Sequence, residues 1–239
     1  MLMPVCNEAD VIESVLQEWH DQVFSRASAG SELVIDDCST DGTKQILRQA
    51  GARYPYLRVM DSERDGFFNS AMRLYRQARC PLVFFTDSDG QYVAEDFWKI
   101  AERIETHDLV HGYKVDRKDP LYRVFASAMF NLLLRTAFST KGHDVNSAFR
   151  LMRKSMVADV VPLIRHLSML PNAELYLWAE WLGYRIEDVP IRHRHRAHGV
   201  SRALPPVRFA RECIKVLLGL AGLYRDRHSI RDLRNRNSA

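Results

Sequence analysis

Short continuous apolar runs alternate along this chain with stretches of helical spacing, and most runs stop at polar or acidic residues. Met1-Leu2-Met3-Pro4-Val5 reads as the tail of a strand whose beginning is absent, so a shortened or misassigned start is expected. Val11, Ile12, Val15, Leu16 and Trp19 recur at helical spacing and predict a helix over Ala9–Trp19. A strand is expected over Glu32–Ile35, a helix from Lys44, a strand over Leu57–Met60 and a helix over Phe68–Ala78. Leu82–Thr86 reads as a strand, Asp96–Glu105 as a helix and Asp108–Gly112 as another strand. Tyr184–Ile191 is a late strand, placed at an edge because Pro190 cannot donate to a ladder. This alternation predicts an α/β domain with a mostly parallel sheet. In such sheets ligands sit beyond the carboxyl ends of the strands.

Two more helices follow from spacing. Arg123, Ser127, Asn131 and Arg135 recur every four residues on an otherwise apolar segment, one polar stripe on a helix. It suits either the phosphate of a greasy ligand or a solvated face. Val207–Tyr224 is read as amphipathic, with Arg208, Arg211, Lys215, Gly219 and Gly222 on one side. Phe209, Cys213, Ile214, Val216, Leu217, Leu220 and Leu223 lie on the other, which fits either an interfacial helix or one packed on the domain. The expected division is a domain over 1–203 and an amphipathic helix with a basic tail over 204–239.

The 239 residues suit one such domain with an appendage, and 46% hydrophobic with 27% charged residues is ordinary for a globular protein. The formal charge of +4 is uneven, since residues 190–239 carry 12 Lys and Arg against 3 Asp and Glu. The four cysteines, Cys6, Cys38, Cys80 and Cys213, lie far apart with no metal-ligand spacing. Neither a disulfide framework nor a zinc ribbon is indicated, and a reducing cytoplasm fits. The chain is expected neither to be secreted nor to span a bilayer.

The chemistry concentrates at strand ends. Leu82–Thr86 runs into Asp87-Ser88-Asp89-Gly90-Gln91, two carboxylates one residue apart with Gln91 as a further oxygen donor. Both can turn to one hard cation that in turn neutralises a diphosphate. Asp36-Asp37 ends the second strand and can accept hydrogen bonds from a base or ribose, with Ser39, Thr40 and Asp41 capping the next helix. A calcium loop starting at Asp37 is rejected, because its twelfth position is Arg48. In Arg192-His193-Arg194-His195-Arg196 the alternating guanidiniums oppose a metal and favour an anionic diphosphate. The run lacks interleaved aromatics that would stack bases, so nucleic acid is not expected as a partner.

In chain order, Pro4-Val5-Cys6-Asn7-Glu8, Val34–Thr43 and Asp87–Gln91 resemble the family 2 glycosyltransferases of GT-A fold. Gly112-Tyr113-Lys114, Arg123 with Ser127, Asp144–Arg150 and Glu187–Ile191 leading to Arg196, Gly199 and Ser201 are similar to the polyprenyl-phosphate branch, the dolichol-phosphate mannose synthase-like enzymes. The resemblance implies that Pro4, Cys6, Glu8, Ile35, Asp37, Asp87, Ser88 and Asp89 line the nucleotide-sugar site. It makes Asp87, Asp89 and Gln91 ligands of Mg²⁺ or Mn²⁺, and Lys114, Arg196 and Arg202 phosphate contacts. Arg123 and Ser127 take the acceptor phosphate, and Asp89, Arg123 and Asp144 are the expected catalytic residues. Cys6 stands where the family usually has Tyr, and Lys114 where it has Arg.

The implied activity is inverting transfer of a hexose from a GDP- or UDP-sugar to a polyprenyl phosphate, at the cytoplasmic face of a membrane that the chain touches peripherally. Two alternatives stand beside it. One is a saccharide hydroxyl acceptor with Asp144 as base; the other is a catalytically weak nucleotide-sugar-binding, membrane-docking module.

Overall fold

A computed structural model describes residues 1–115, 121–196 and 206–237, and within them the side chains outside 121–126, 206–210 and 228–237. Its first half is regular alternation: β1 (Leu2–Val5), α1 (Ile12–Trp19), β2 (Leu33–Asp37), α2 (Thr43–Arg53), β3 (Leu57–Asp61), α3 (Phe67–Arg76) and β4 (Leu82–Phe85). There follow α4 (Phe97–Ala101), β5 (Leu109–Val115), α5 (Leu121–Phe138), β6 (Arg150–Arg153), α6 (Lys154–Val160), α7 (Pro171–Trp181), β7 (Ile186–Arg192) and α8 (Pro206–Asn237). The seven strands form one sheet in the order β3-β2-β1-β4-β6-β5-β7. All neighbours are parallel except β6, which runs antiparallel to β4 and β5. The late strand with Pro190 does sit at an edge, paired to β5 alone.

Continuous apolar runs become central strands because helices cover them. α3 packs on β1 and β2, α4 on β5 and β6, and α6 on β4 and β6. Trp19 of α1, Phe84 of β4 and Phe149 beside β6 meet with ring centres 4.9 to 6.2 Å apart. Burying each such side chain stabilises the fold by about 1.5–3 kcal/mol.

Sequence patterning missed β6. Its apolar pair Leu151-Met152 is bracketed by Arg150 and Arg153, which break the run. Arg150 is wholly buried, and Arg153 donates to the carbonyls of Ile104, Glu105 and His107. The helix expected over Asp96–Glu105 is shorter, Phe97–Ala101, and the turns that follow it are held by Arg153.

The C-terminal helix also departs from expectation. Gly219 and Gly222, read as part of its polar side, form the packed side together with buried Leu220 and Leu223. A Cβ at Gly219 would lie 2.3 Å from the His166 carbonyl oxygen, and one at Gly222 2.6 Å from His166 Nδ1. The loop beneath is held by Glu174, whose fully buried carboxylate accepts from the backbone N–H groups of Arg165, His166 and Leu167 at 2.6 to 3.1 Å. Asp226 of α8 completes the joint by accepting from Arg165 and from His166 Nε2. Ile214, Leu217 and Leu218 face outward beside Arg211 and Lys215. No helix among the described residues is long and apolar enough to cross a membrane. Gly219→Ala should lift α8 from its seat while leaving the sheet folded. Limited proteolysis with mass spectrometry checks this, expecting faster cleavage within α8 and an unchanged circular-dichroism spectrum for the remaining core.

Candidate functional site

β1 and β4 share one register pair, Leu2 with Phe85, and then part. The chain runs to β2 and β3 on one side of this line and to β4 on the other, which makes it the topological switch point where a crevice opens. The carboxyl ends of β1, β2 and β4 therefore present their loops to a common space. From β1 come Cys6, Asn7 and Glu8; from β2, Asp36 and Asp37; from β4, Asp87, Ser88 and Asp89.

The two carboxylates of β2 divide their roles. Neighbouring strand residues point to opposite faces. Asp36 is fully buried and is held by Arg73 Nε and Nη2 at 3.1 and 2.9 Å and by the Ser62 hydroxyl at 2.6 Å. Asp37 accepts from the Ser39 N–H at 3.0 Å. The pair read as a base or ribose acceptor thus reduces to Asp37. Ser39 and Thr40 do not cap α2: the Ser39 hydroxyl accepts from the Asn7 N–H at 2.7 Å, and the Thr40 N–H donates to Asn7 Oδ1 at 2.6 Å. Asp41 does bond the Thr43 N–H at 2.9 Å. Asn7 is left-handed, φ 57°, which turns the chain out of β1 so that these bonds can form.

Across the crevice, burial and then the charge of Asp89 push the Asp87 carboxyl up to about 7, with Lys114 and Arg150 opposing the shift. A desolvated carboxylate beside a second one that repels it fits a hard divalent cation. Mg²⁺ or Mn²⁺ retains waters and takes phosphate oxygens, so two protein ligands suffice. Among the described residues no cluster of three or more His, Cys, Asp or Glu is arranged as a metal cage. The Gln91 amide nitrogen donates to the Arg194 carbonyl at 3.1 Å and the Arg194 N–H returns a bond to the Gln91 backbone carbonyl, which anchors Gln91 to the arginine segment and leaves its side-chain oxygen uncommitted by these bonds.

The arginine run also resolves into separate duties. Arg192 binds Asp96 and Glu95, and Arg194 binds Glu18 through both terminal nitrogens. Of the three, Arg196 reaches the crevice, 2.5 Å from Glu8 and 3.6 Å from Asp89. The expected triple guanidinium cradle is therefore one guanidinium with two anchors. Lys114 extends over the Tyr92 ring, Nζ 5.6 Å from its centre.

Behind the carboxylates, the Asp144–Ala148 loop hangs on groups that sequence reasoning did not single out. Tyr92 Oη accepts from the Ala148 N–H at 3.1 Å and lies 3.3 Å from the Ser147 hydroxyl. Arg150 donates to the carbonyls of Val145, Ser147 and Asn172. The sequence named Arg150 only as the end of the Asp144–Arg150 motif, with no role of its own. His111 Nε2 donates to the Asp144 carbonyl at 2.8 Å, and burial followed by the charge of Arg150 lowers His111 to about 4. The Asp144 side chain is 8% exposed, with Oδ2 lacking a hydrogen-bond partner.

Other expected site residues lie elsewhere. Ile35 is wholly buried in mid-strand, behind the crevice rather than lining it, while Pro4 is half-buried in β1 and Ser88 is buried beside the acids. Ser127 pairs with Asn131 one turn on, whose amide donates to its carbonyl at 2.9 Å. The Arg123 side chain, and Gly199, Ser201 and Arg202, lie outside the described residues.

The model of the family "Glycosyl transferase family 2" matches residues 1–161. Among curated proteins, undecaprenyl-phosphate 4-deoxy-4-formamido-L-arabinose transferase of Edwardsiella ictaluri is 25% identical over 206 residues, covering 84% of this chain and 62% of that protein. The protein of the same name from Pseudomonas aeruginosa is 23% identical over 205 residues, covering 84% and 59%. The chain thus spans about three-fifths of the length of these relatives. Glucosyl-3-phosphoglycerate synthase from Mycobacterium tuberculosis, solved with Mn²⁺ and UDP-glucose, superposes with a TM-score of 0.64 at 18% identity, over 93% of this chain and 77% of that one. Mannosyl-3-phosphoglycerate synthase from Rubrobacter xylanophilus gives 0.63 at 15% identity, over 100% and 74%. At these identities the likeness shows the fold, which is that of GT-A glycosyltransferases.

Two predictions test the framework of the site. Arg150→Met leaves buried carbonyls unpaired and should destabilise the protein by about 3 kcal/mol, read from urea midpoints. His111 has a folded pKa below its unfolded one, so between pH 6.5 and about 4 the unfolded chain binds the extra proton. This contribution is whole above pH 6.5 and is lost as pH falls, by at most about 1.4 kcal/mol per unit. Urea midpoints from pH 7 to 4.5 should show wild type losing stability relative to His111→Asn.

Proposed function

The chain belongs to glycosyl transferase family 2, and we propose that it transfers a sugar residue from a nucleotide-diphosphate donor to a polyprenyl phosphate, with inversion. One observation carries this reading: the crevice at the sheet's switch point gathers Asp37, Asp87 and Asp89 with Arg196 and Lys114 around it. Asp37 suits the hydroxyl or N–H donors of a nucleoside, and the opposed charges beyond it suit a metal-bound diphosphate. The relatives are named for a modified arabinose and the structural neighbours for glucose and mannose. The expectation of a hexose is accordingly widened to a sugar residue.

In this mechanism Asp87 and Asp89 would hold Mg²⁺ or Mn²⁺. When bound, the ion supplies positive charge that stabilises the departing diphosphate. Arg196 leaves its contact with Glu8 to grip a phosphate, and Lys114 adds a second positive charge. The acceptor phosphate is already anionic near neutral pH and attacks without a strong base. Arg123 and Ser127 hold it by their motif alone. Outward Ile214, Leu217 and Leu218, with Arg211 and Lys215 between them, support contact with an anionic membrane surface. The cytoplasmic face is the one that supplies nucleotide sugars. On this reading residues 1–203 form the catalytic unit and 204–239 the surface-seeking appendage.

A second reading has one specific support: Asp144 Oδ2 is buried without a hydrogen-bond partner, and once uncovered it would serve as base for a saccharide hydroxyl. Incubation with radiolabelled GDP- and UDP-sugars and a short polyprenyl phosphate separates the two. Label should enter the lipid, be lost with EDTA and return with Mn²⁺ or Mg²⁺. Asp89→Ala should lower transfer by about 10³-fold or more. Unchanged turnover in that variant would overturn the mechanism, and label entering a saccharide instead selects the second reading.

A further inference from the structure

Cys6 and Cys38 occupy matching positions where β1 and β2 end. The register pairs Val5 with Asp37, and the Cys38 N–H continues the ladder to the Val5 carbonyl at 3.1 Å. Cys6 and Cys38 follow directly on that last pair, with their thiols in hydrogen-bonding contact. Paired strands lie about 4.8 Å apart, inside the roughly 4.4–6.8 Å span of Cα atoms that a disulfide bridges. Register partners also project to the same face.

Both thiols are half-buried and free, and each crosses to the other strand. Cys6 Sγ lies 3.7 Å from the Cys38 carbonyl oxygen, and Cys38 Sγ 3.6 Å from that of Val5. Cys80 and Cys213 are elsewhere, Cys80 facing the Gly30 carbonyl and Cys213 exposed on α8.

We propose that Cys6 and Cys38 are a reversible thiol pair, closed to a disulfide by a peroxide, and that closure disables the nucleotide end of the crevice. The bond stands on strand geometry; its effect on a donor rests on the site proposed above. The half-buried Cys6 sulfur, at the strand end that opens to the crevice, takes the first oxygen. Cys6 sulfur attacks one peroxide oxygen and the O–O bond breaks. Cys6 becomes a sulfenic acid, and hydroxide departs with the Cys6 proton as water. Cys38 sulfur then attacks Cys6 sulfur, the S–O bond breaks, and the departing hydroxide takes the Cys38 proton as a second water. Two thiols lose two electrons, and peroxide gains them.

Closure draws Cys6 towards β2 and strains the Asn7–Glu8 turn. Asn7 is fixed to Ser39 and Thr40, and the Glu8 N–H to Thr43 Oγ1 at 2.9 Å. Glu8 is also the partner of Arg196. A shift of this turn therefore reaches both the nucleoside end and the phosphate end of the crevice.

The test treats the full chain with hydrogen peroxide, blocks remaining thiols with iodoacetamide and maps peptides by mass. The Cys6 and Cys38 peptides should appear linked, two hydrogens lighter than their sum, and separate on adding dithiothreitol. Cys6→Ser and Cys38→Ser should each abolish the linkage. Iodoacetamide on both cysteines, or oxidation of Cys6 stopping at a sulfinic acid, overturns the bond. UDP and GDP binding by calorimetry reads the effect: oxidised wild type should bind about tenfold more weakly than reduced. The Cys6→Ser/Cys38→Ser double variant should show equal affinity before and after peroxide. A formed bond with unaltered nucleotide affinity overturns the switch. Absence of nucleotide binding by the reduced protein counts instead against the donor site, and the mass of the linked peptides still decides the bond.

Discussion

Beyond Leu2 and Phe85, β1 and β4 have no further paired residues, and the strands separate where the order of connection reverses. Everything chemical in this protein depends on that parting. Backbone groups that would have closed a ladder are replaced by loops, and those loops need side chains to hold them. Asn7 ties β1's loop to β2's, and Tyr92 and Arg150 support the loop that carries Asp144. The polar groups around the crevice are therefore chiefly structural, and a few acids and bases are left to face the open space.

Charge is handled in the same way. A crevice with Glu8, Asp37, Asp87 and Asp89 near one another is costly unless cations stand close. Arg196 and Lys114 supply them. The segment carrying Arg196 is secured a few residues earlier by Arg192 on Asp96 and Arg194 on Glu18. Alternation along a strand-like segment thus gives each guanidinium its own acid, with buried His193 on the other side of the segment.

The strands of the first half were legible because a strand covered on both faces must be apolar throughout, and the Asp87–Asp89 acids were legible because they interrupt such a run. A continuous run has no period, however, so it cannot say which of its side chains face a ligand; hence Ile35 was misplaced. Asp36 and Asp37 are chemically identical, and what separates them is Arg73 and Ser62, remote in sequence. The partners of Arg192 and Arg194 lie about a hundred residues or more away along the chain. β6 was hidden for the opposite reason, since arginines at both ends broke a pattern that burial in fact preserves. In α8 the glycines were counted as polar surface when their smallness is what lets a helix meet a backbone carbonyl.

That helical contact has a mechanical consequence. α8 has 32 residues and so extends about 48 Å, and its seat on His166 falls near the midpoint. The close contacts of Gly219 and Gly222, buried Leu220 and Leu223, and the Asp226 bonds all hold the middle of this rod, so its two halves project about equally from the seat. One arm connects back along the chain to Arg196 at the crevice; the other carries the arginines at the far end. Whatever loosens that central seat therefore frees both halves of the helix at once.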